Sequence, residues 1–349
     1  VWSAIVKQVD SAGSESAFVS VADTPRTTFA KHPWSIGGGG AADLLENLSS
    51  PKTKQLESLT TAIGRITHTG ADEVYFSDKR TWQRKFGDTA KYYPLVEGDV
   101  IRDWNLEPET WILFPYNQEL QAYLDETGLM AKYLWIYKQF LVRRRELGGT
   151  HEEVGLTWYE WSRFQRERFR VPLGITFAFV ATHNHFVLDR GGKVFKQSAP
   201  VIKLPAGATE DEHLALLGLL NSSVACFWLK QVCHNKGSTV DQHGARQTTT
   251  PFEDFYEFTG TKLAEFPLAE PVPTDIARRL DQLAQQRAEC LPANVIALVP
   301  KLPLGNAVRE TPASQADKQS LQAVGSQAGA WEPAKNKPNI NRWLPCPAT

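Results

Sequence analysis

Apolar side chains recur at helical spacing in a few stretches and gather in short β-like runs elsewhere, so the pattern predicts both kinds of element. The strongest helical signal begins at Thr209. With Glu212 three residues on it spells a capping box, and Leu214, Leu217, Leu220, Val224, Phe227 and Trp228 then form an apolar face. The pattern predicts one long helix, stopping near Asn235-Lys236-Gly237. A short helix is expected over residues 41–48, behind the Gly37–Gly40 run. Three more are expected over residues 118–127, 130–147 and 158–169, the first two closed by Gly128 and by Gly148-Gly149. The last of these carries Trp158, Trp161, Phe164 and Phe169 among arginines. Pro273-Thr274 opens a further helix to about Cys290.

Between these lie strand signals. Residues 63–76 read as two short strands around Thr69-Gly70, and residues 94–116 as strand and turn. Residues 174–188 are β-rich. Asp189-Arg190-Gly191-Gly192 reads as a tight hairpin, with residues 193–204 returning as strand. Beyond Pro303 periodicity is lost and Ser, Ala, Gln, Pro and Lys dominate, as expected of a disordered or non-native tail. The fold expected is α+β: a mixed sheet with helical insertions and a disordered C-terminal tail.

Composition changes this picture in two places. The 349 residues are 42% apolar and 22% charged, enough for a packed core. The net charge of −1 excludes a uniformly basic coat, but it is unevenly spread: residues 131–203 hold thirteen Lys and Arg against six acids. These include Arg143, Arg144 and Arg145, taken to be borne on a basic helix, and Arg163, Arg166, Arg168 and Arg170. Four irregularly spaced cysteines point to a reducing compartment, hence a cytoplasmic protein. No apolar run approaches the ~18 residues of a membrane span. The chain opens on Val1 and not on Met, as expected of a non-Met start codon or of a fragment.

The candidate chemistry is mostly that of a binding protein. Gly37–Gly40 lacks the Lys-Ser/Thr of a phosphate loop and reads as a turn. His183-Asn184-His185 places two imidazoles on one face of an expected strand, with no further metal ligands in view. Cys226, Cys233, His234 and His243 match no common zinc spacing, and Cys on an apolar helix is ordinarily buried. Nucleophile-elbow, zinc-protease and P-loop motifs are missing, as is the Asn/Asp-Pro-Pro-aromatic motif that holds an adenine amine for methylation. The polar segment 230–247 stands out: Lys230, Gln231, His234, Asn235, Lys236, Ser238, Thr239, Gln242, His243, Arg246 and Gln247. Such side chains bind phosphates and read base edges, Arg and Lys suiting guanine and Asn and Gln suiting adenine.

Several stretches, in order, carry a resemblance: PWSIGGGG (33–40), THTGADEVYF (67–76), EGDVIRDW (97–104), THNHF (182–186), LLGLLNSS (216–223) and NKGSTVDQHGAR (235–246). Together, over roughly residues 30–295, they resemble the C-terminal half of the PglX-type adenine-specific DNA methyltransferases of BREX phage-defence systems. These are similar in turn to type IIG restriction–modification enzymes. The resemblance implies a target-recognition domain at 61–295, a connector at 1–60 to a catalytic core missing from this chain, and a tail at 296–349. It implies double-stranded DNA as partner, the methyltransferase core and other defence proteins as further partners, and S-adenosylmethionine in the complete enzyme, with no cofactor in this chain. DNA contacts are expected from Lys230, His234, Asn235, Lys236, Ser238, Gln242, His243, Arg246 and Gln247, and from Arg143, Arg144 and Arg145. Residues 301–349 depart from the family's acidic-aromatic ending, as after a frameshift or truncation. Two alternatives stay open: the same region of a type IIG enzyme with an attached nuclease, and a non-catalytic interaction subunit of a defence complex.

Overall fold

The computed structural model describes residues 1–30, 34, 40–49, 53–102, 104–146, 148–237, 254–268 and 272–291. The polar run 238–250 and the expected tail lie outside the described residues.

Two four-stranded sheets carry the two hydrophobic clusters of residues 1–294. In the first, Ala62–Gly64, Val201–Lys203, Gly174–Phe177 and Phe186–Asp189 lie side by side, all antiparallel. The last three are buried along their whole length, so they read as apolar runs and not as alternation. Helices Glu210–Leu220, Ser223–Val232 and Thr274–Glu289 contribute buried residues to this cluster. Gly218 lies where the first and third pack: a Cβ there would meet the Ala277 Cβ at 2.8 Å.

The second sheet is Val194–Phe195, Tyr92–Val96, Thr110–Leu113 and Phe76–Asp78, with only the first pair parallel. Its core is aromatic. Phe114 packs against Tyr93, Tyr116, Trp161, Phe164 and Phe169 at centroid distances of 4.9–5.8 Å. Trp82 stacks on Phe86 and donates its indole N–H to the Trp111 carbonyl. Part of the high tryptophan content is thus spent inside.

The helices Ala41–Leu48 and Thr274–Glu289 and the capping box at Thr209 stand as expected, and the mixed α+β class holds. Several expectations need correction. Residues 118–127 form a loop: the Asn117 and Asp125 side chains accept from the backbone N–H groups of Gln121 and Thr127, offering the chain an alternative to helix. The helix expected over 130–147 is two short ones, Leu129–Ile136 and Lys138–Val142, followed by a hairpin of Arg145–Glu146 with Gly149–Thr150. Residues 158–169 are not helical as a whole. Arg163–Phe164 is a strand paired to Thr67–His68, and only Arg166–Arg170 coils. After Thr67–His68 the chain enters a short helix, Asp72–Tyr75, in place of a second strand. The Asp189–Gly192 turn is real, with Gly191 at φ 98° and Gly192 at φ 76°, but its strands do not pair with each other. Phe186–Asp189 stays in the first sheet and Val194–Phe195 crosses into the second.

The long helix breaks at Asn221, with a bend of 66°. Asn221 turns its amide onto the sheet, Oδ1 accepting from Phe186 N–H at 3.0 Å and Nδ2 donating to Phe186 C=O at 2.9 Å. It thus pairs both backbone groups of Phe186 as a strand would. Ser222 then caps the second helix by accepting from Ala225 N–H, and the chain after Val232 becomes the strand His234–Gly237. Among the described residues no single helix is long and apolar enough to cross a membrane.

Lys203 is nearly inaccessible and donates to the carbonyls of Val171 (2.6 Å) and Leu173 (3.2 Å). Burial pulls its pKa down to about 8, against a smaller opposing pull from Asp189.

Two stability predictions follow from these contacts. Asn221→Ala leaves Phe186 N–H and C=O unpaired and is expected to cost about 1–3 kcal/mol in urea unfolding; a loss below ~0.5 kcal/mol would mean the bend is not held by this amide. For Lys203, the unfolded side chain titrates near its ordinary ~10.4, so between about pH 8 and that value the unfolded chain holds the extra proton. Stability relative to Lys203→Met is therefore expected to rise with pH across that window. Parallel pH profiles of the two proteins would contradict the assignment.

Candidate nucleic-acid interface

The expected DNA-contact residues divide into three groups. Ser238, Gln242, His243, Arg246 and Gln247 lie outside the described residues. His234, Asn235 and Lys236 stand exposed on an edge strand, His234–Gly237, paired to Phe255–Glu257, which pairs in turn with Val180–Ala181. Lys236 is bridged to Glu257 at 2.8 Å, and Asn235 donates to Asp254 at 3.1 Å while its Oδ1 accepts from Gly237 N–H. Lys230 lies over the Tyr256 ring at 5.2 Å.

The third group, Arg143–Arg145, does not lie on a helix. Arg143 follows the helix end, Arg145 begins a strand, and both are exposed, whereas Arg144 points inward. Its guanidinium donates to four carbonyls: Leu141 (3.0 Å), Thr69, Trp158 (2.8 Å) and Glu160 (2.8 Å). Burial lowers its pKa, opposed by the neighbouring Tyr75. His151, also buried, contacts Ser162 Oγ through Nε2 at 2.9 Å, and desolvation, then the Arg144 charge, hold its pKa down.

Other readings of the sequence resolve plainly. His183 and His185 do come together, with ring centroids 4.2 Å apart, but on a bend and not in a strand. Burial pushes the Cys233 thiol up to about 12, the behaviour of an inert core cysteine. Among the described residues no group of three or more His, Cys, Asp or Glu is placed to hold a metal.

What the structure does assemble is an arginine-lined cleft of about 630 Å³. Its walls are Arg65, Ile66, Thr67, His68, Arg145, Glu146, Arg163, Gln165, Arg168 and Gln197. A recess of about 400 Å³ shares His68, Arg145 and Glu146 with it and is otherwise lined by residues 70–73, Arg144 and Ser162. The framework is backbone pairing. Thr67–His68 pairs with Arg163–Phe164, Thr67 also bridges to Lys196, and Gln165 N–H donates to Ile66 C=O at 2.9 Å. Phe164 packs inward against Phe114, so Arg163 and Gln165 on either side of it are turned outward.

The arginines differ in what they already hold. Arg168 donates to Arg65 C=O at 2.6 Å, and burial lowers its pKa. Arg163 pairs with Glu146 at 3.0 Å, its side chain 58% exposed against 13% for the glutamate. Arg65 lies over the Phe179 ring at 4.9 Å, and neither it nor Arg145 has a salt-bridge partner among the described residues. Four guanidinium groups against one carboxylate, between protein walls, make a concentrated positive field that attracts an anion. Arg145 is the one expected contact that the cleft contains. Arg65, His68, Gln165 and Gln197 were not expected. Arg163 and Arg168 were counted in the basic stretch, and a period-two reading of Arg163-Phe164-Gln165 would have placed the first of them and Gln165.

No protein-family model matches the chain. Over 314 residues, 89% of the chain, it is 41% identical to the adenine-specific methyltransferase PglX of Streptomyces coelicolor, so the PglX-type resemblance stands. The chain spans 26% of that relative's length. Among solved structures it is similar to the type IIL restriction–modification enzyme MmeI in complex with DNA, with a TM-score of 0.43 and 12% identity. That match covers 78% of this chain and 33% of the other. A second, to the type IIG restriction endonuclease BpuSI, has a TM-score of 0.36 and 14% identity over 71% of this chain and 28% of the other.

The contrast within the arginine run is testable by denaturant unfolding. Arg144→Met, which strips donors from four carbonyls, is expected to cost at least about 2–3 kcal/mol. Arg143→Ala and Arg145→Ala are expected to stay within about 0.5 kcal/mol. Equal effects at all three positions would rule out the inward placement of Arg144.

Proposed function

We propose that this chain is the DNA-recognition module of an N6-adenine DNA methyltransferase acting in phage defence. The observation that supports it most is the arginine cleft, with two exposed and salt-bridge-free cations, Arg65 and Arg145, beside polar side chains that suit base edges. The identity to PglX supports the methyltransferase part of the reading.

In this reading residues 61–295 form the recognition domain and residues 1–60 lead to a catalytic part of the complete enzyme. Double-stranded DNA is the ligand, and other defence proteins are further partners. Arg65, Arg145, Arg163 and Arg168 neutralise backbone phosphates and fix the duplex. Lys230, on the helix Ser223–Val232, and His234, Asn235 and Lys236, on the edge strand, add further DNA contacts, as do Ser238, Gln242, His243, Arg246 and Gln247. Arg144 serves the surface from inside, as the post on which Arg145 is mounted.

S-adenosylmethionine belongs to the complete enzyme. The cleft does not fit it: four arginines repel a sulfonium cation. Transfer to adenine N6 therefore takes place elsewhere, on a base rotated out of the helix, which is how recognition and chemistry come to occupy separate domains.

Binding of the chain to duplex DNA should weaken as salt rises. Arg65→Ala and Arg145→Ala should each flatten the slope of log K against log salt by about 0.9, one counterion per phosphate contact. Duplex affinity and slope unchanged in both variants, or no duplex binding by the parent chain, would refute the reading.

A further inference from the structure

Two side chains in the cleft are not explained by phosphate binding. Gln165 and Gln197 both line it, and neither amide has a hydrogen-bond partner among the described residues. Gln165 is exposed and precedes the short helix Arg166–Arg170, but its side chain makes no capping bond. The backbone beneath each is held firmly. Gln165 N–H is bonded to Ile66 C=O, and its carbonyl accepts from Phe169 N–H. Gln197 sits between Lys196, whose N–H donates to Val96 C=O, and Ser198, whose carbonyl accepts from Phe179 N–H. Lys196 is further pinned by Asp72 and Glu97, and Ser198 Oγ accepts from Gly98 N–H.

Free amides on fixed backbone, among cations that hold a phosphate backbone, have a defined complement. A carboxamide offers one donor edge and one acceptor edge in a plane, which matches adenine N6–H and N7 in the major groove. Guanine presents two acceptors there and is matched by arginine. We propose that Gln165 and Gln197 are specificity-determining residues, each reading an A·T base pair of the duplex held in this cleft. The inference rests on the DNA-recognition reading above and adds to it the residues and the base pairs read.

The test is selection of bound duplexes by the full chain from a pool of double-stranded DNA with a randomised centre, followed by sequencing. The parent chain is expected to enrich a motif containing fixed A·T pairs. Gln165→Leu and Gln197→Leu keep side-chain size and remove the amide. Each is expected to lose about ten-fold or more of the preference at one A·T position. The other positions, and the affinity for unselected duplex, stay as in the parent. Arg145→Ala serves as the contrast, weakening all sequences alike. A Leu variant that unfolds earlier than the parent is replaced by Gln→Asn, which keeps an amide but shortens its reach and is expected to lose the same position. An unchanged motif in these variants, loss at G·C positions, or binding with no motif at all would overturn the assignment of Gln165 and Gln197 while leaving duplex binding standing. Absence of any duplex binding would remove the wider reading with it.

Discussion

The guanidinium of Arg144 binds together three parts of the chain, one of them 75 residues away in sequence. It takes the carbonyl of Thr69 just after one strand, that of Leu141 at a helix end, and those of Trp158 and Glu160 ahead of another strand. Without it, the buried carbonyls of Trp158 and Glu160 lose their donor, and those of Thr69 and Leu141 keep only the longer bonds from the Ser162 and Arg144 backbone N–H groups. The cleft is built on these same segments: His68 and Arg163 come from the paired strands, Arg145 from the residue next to the anchor. One inward cation thus fixes the positions of several outward ones.

The sequence made some of this legible and concealed the rest for identifiable reasons. The capping box at Thr209 and the helix from Thr274 were readable because local chemistry alone determines them. The break at Asn221 was not, since its amide answers a strand 35 residues earlier, and the apolar period runs straight across it. Likewise Trp158, Trp161, Phe164 and Phe169 stand at helical spacing, yet they fill one aromatic cluster from several backbone conformations. Arg145 was singled out for its charge. Gln165 and Gln197 gave no signal, because an exposed glutamine is unremarkable until its neighbours in space are known.

Charge tells a similar story at larger scale. The chain is almost neutral, and many of its cations are consumed internally: Arg166 by Glu160, Arg190 by Glu210 and Asp281, Lys193 by Asp189, Arg278 by Asp211. Local excess, and not the total, is what distinguishes the cleft. Arg144 and Arg145 make the point within two residues, since the first is spent on carbonyls and the second is open to solvent.

The pairing of Ala62–Gly64 with Val201–Lys203 joins segments some 140 residues apart, and Val194–Phe195 reaches back to Tyr92–Val96 across about a hundred. During synthesis the second sheet cannot close until residue 195 has left the ribosome, nor the first until residue 203 has. Until then the early strands present open edges, the form in which β-structure recruits other chains. A polypeptide stopped upstream of Lys203 would therefore keep those edges permanently. For this architecture the first sheet is committed only once the strand that completes it, Val201–Lys203, has been made.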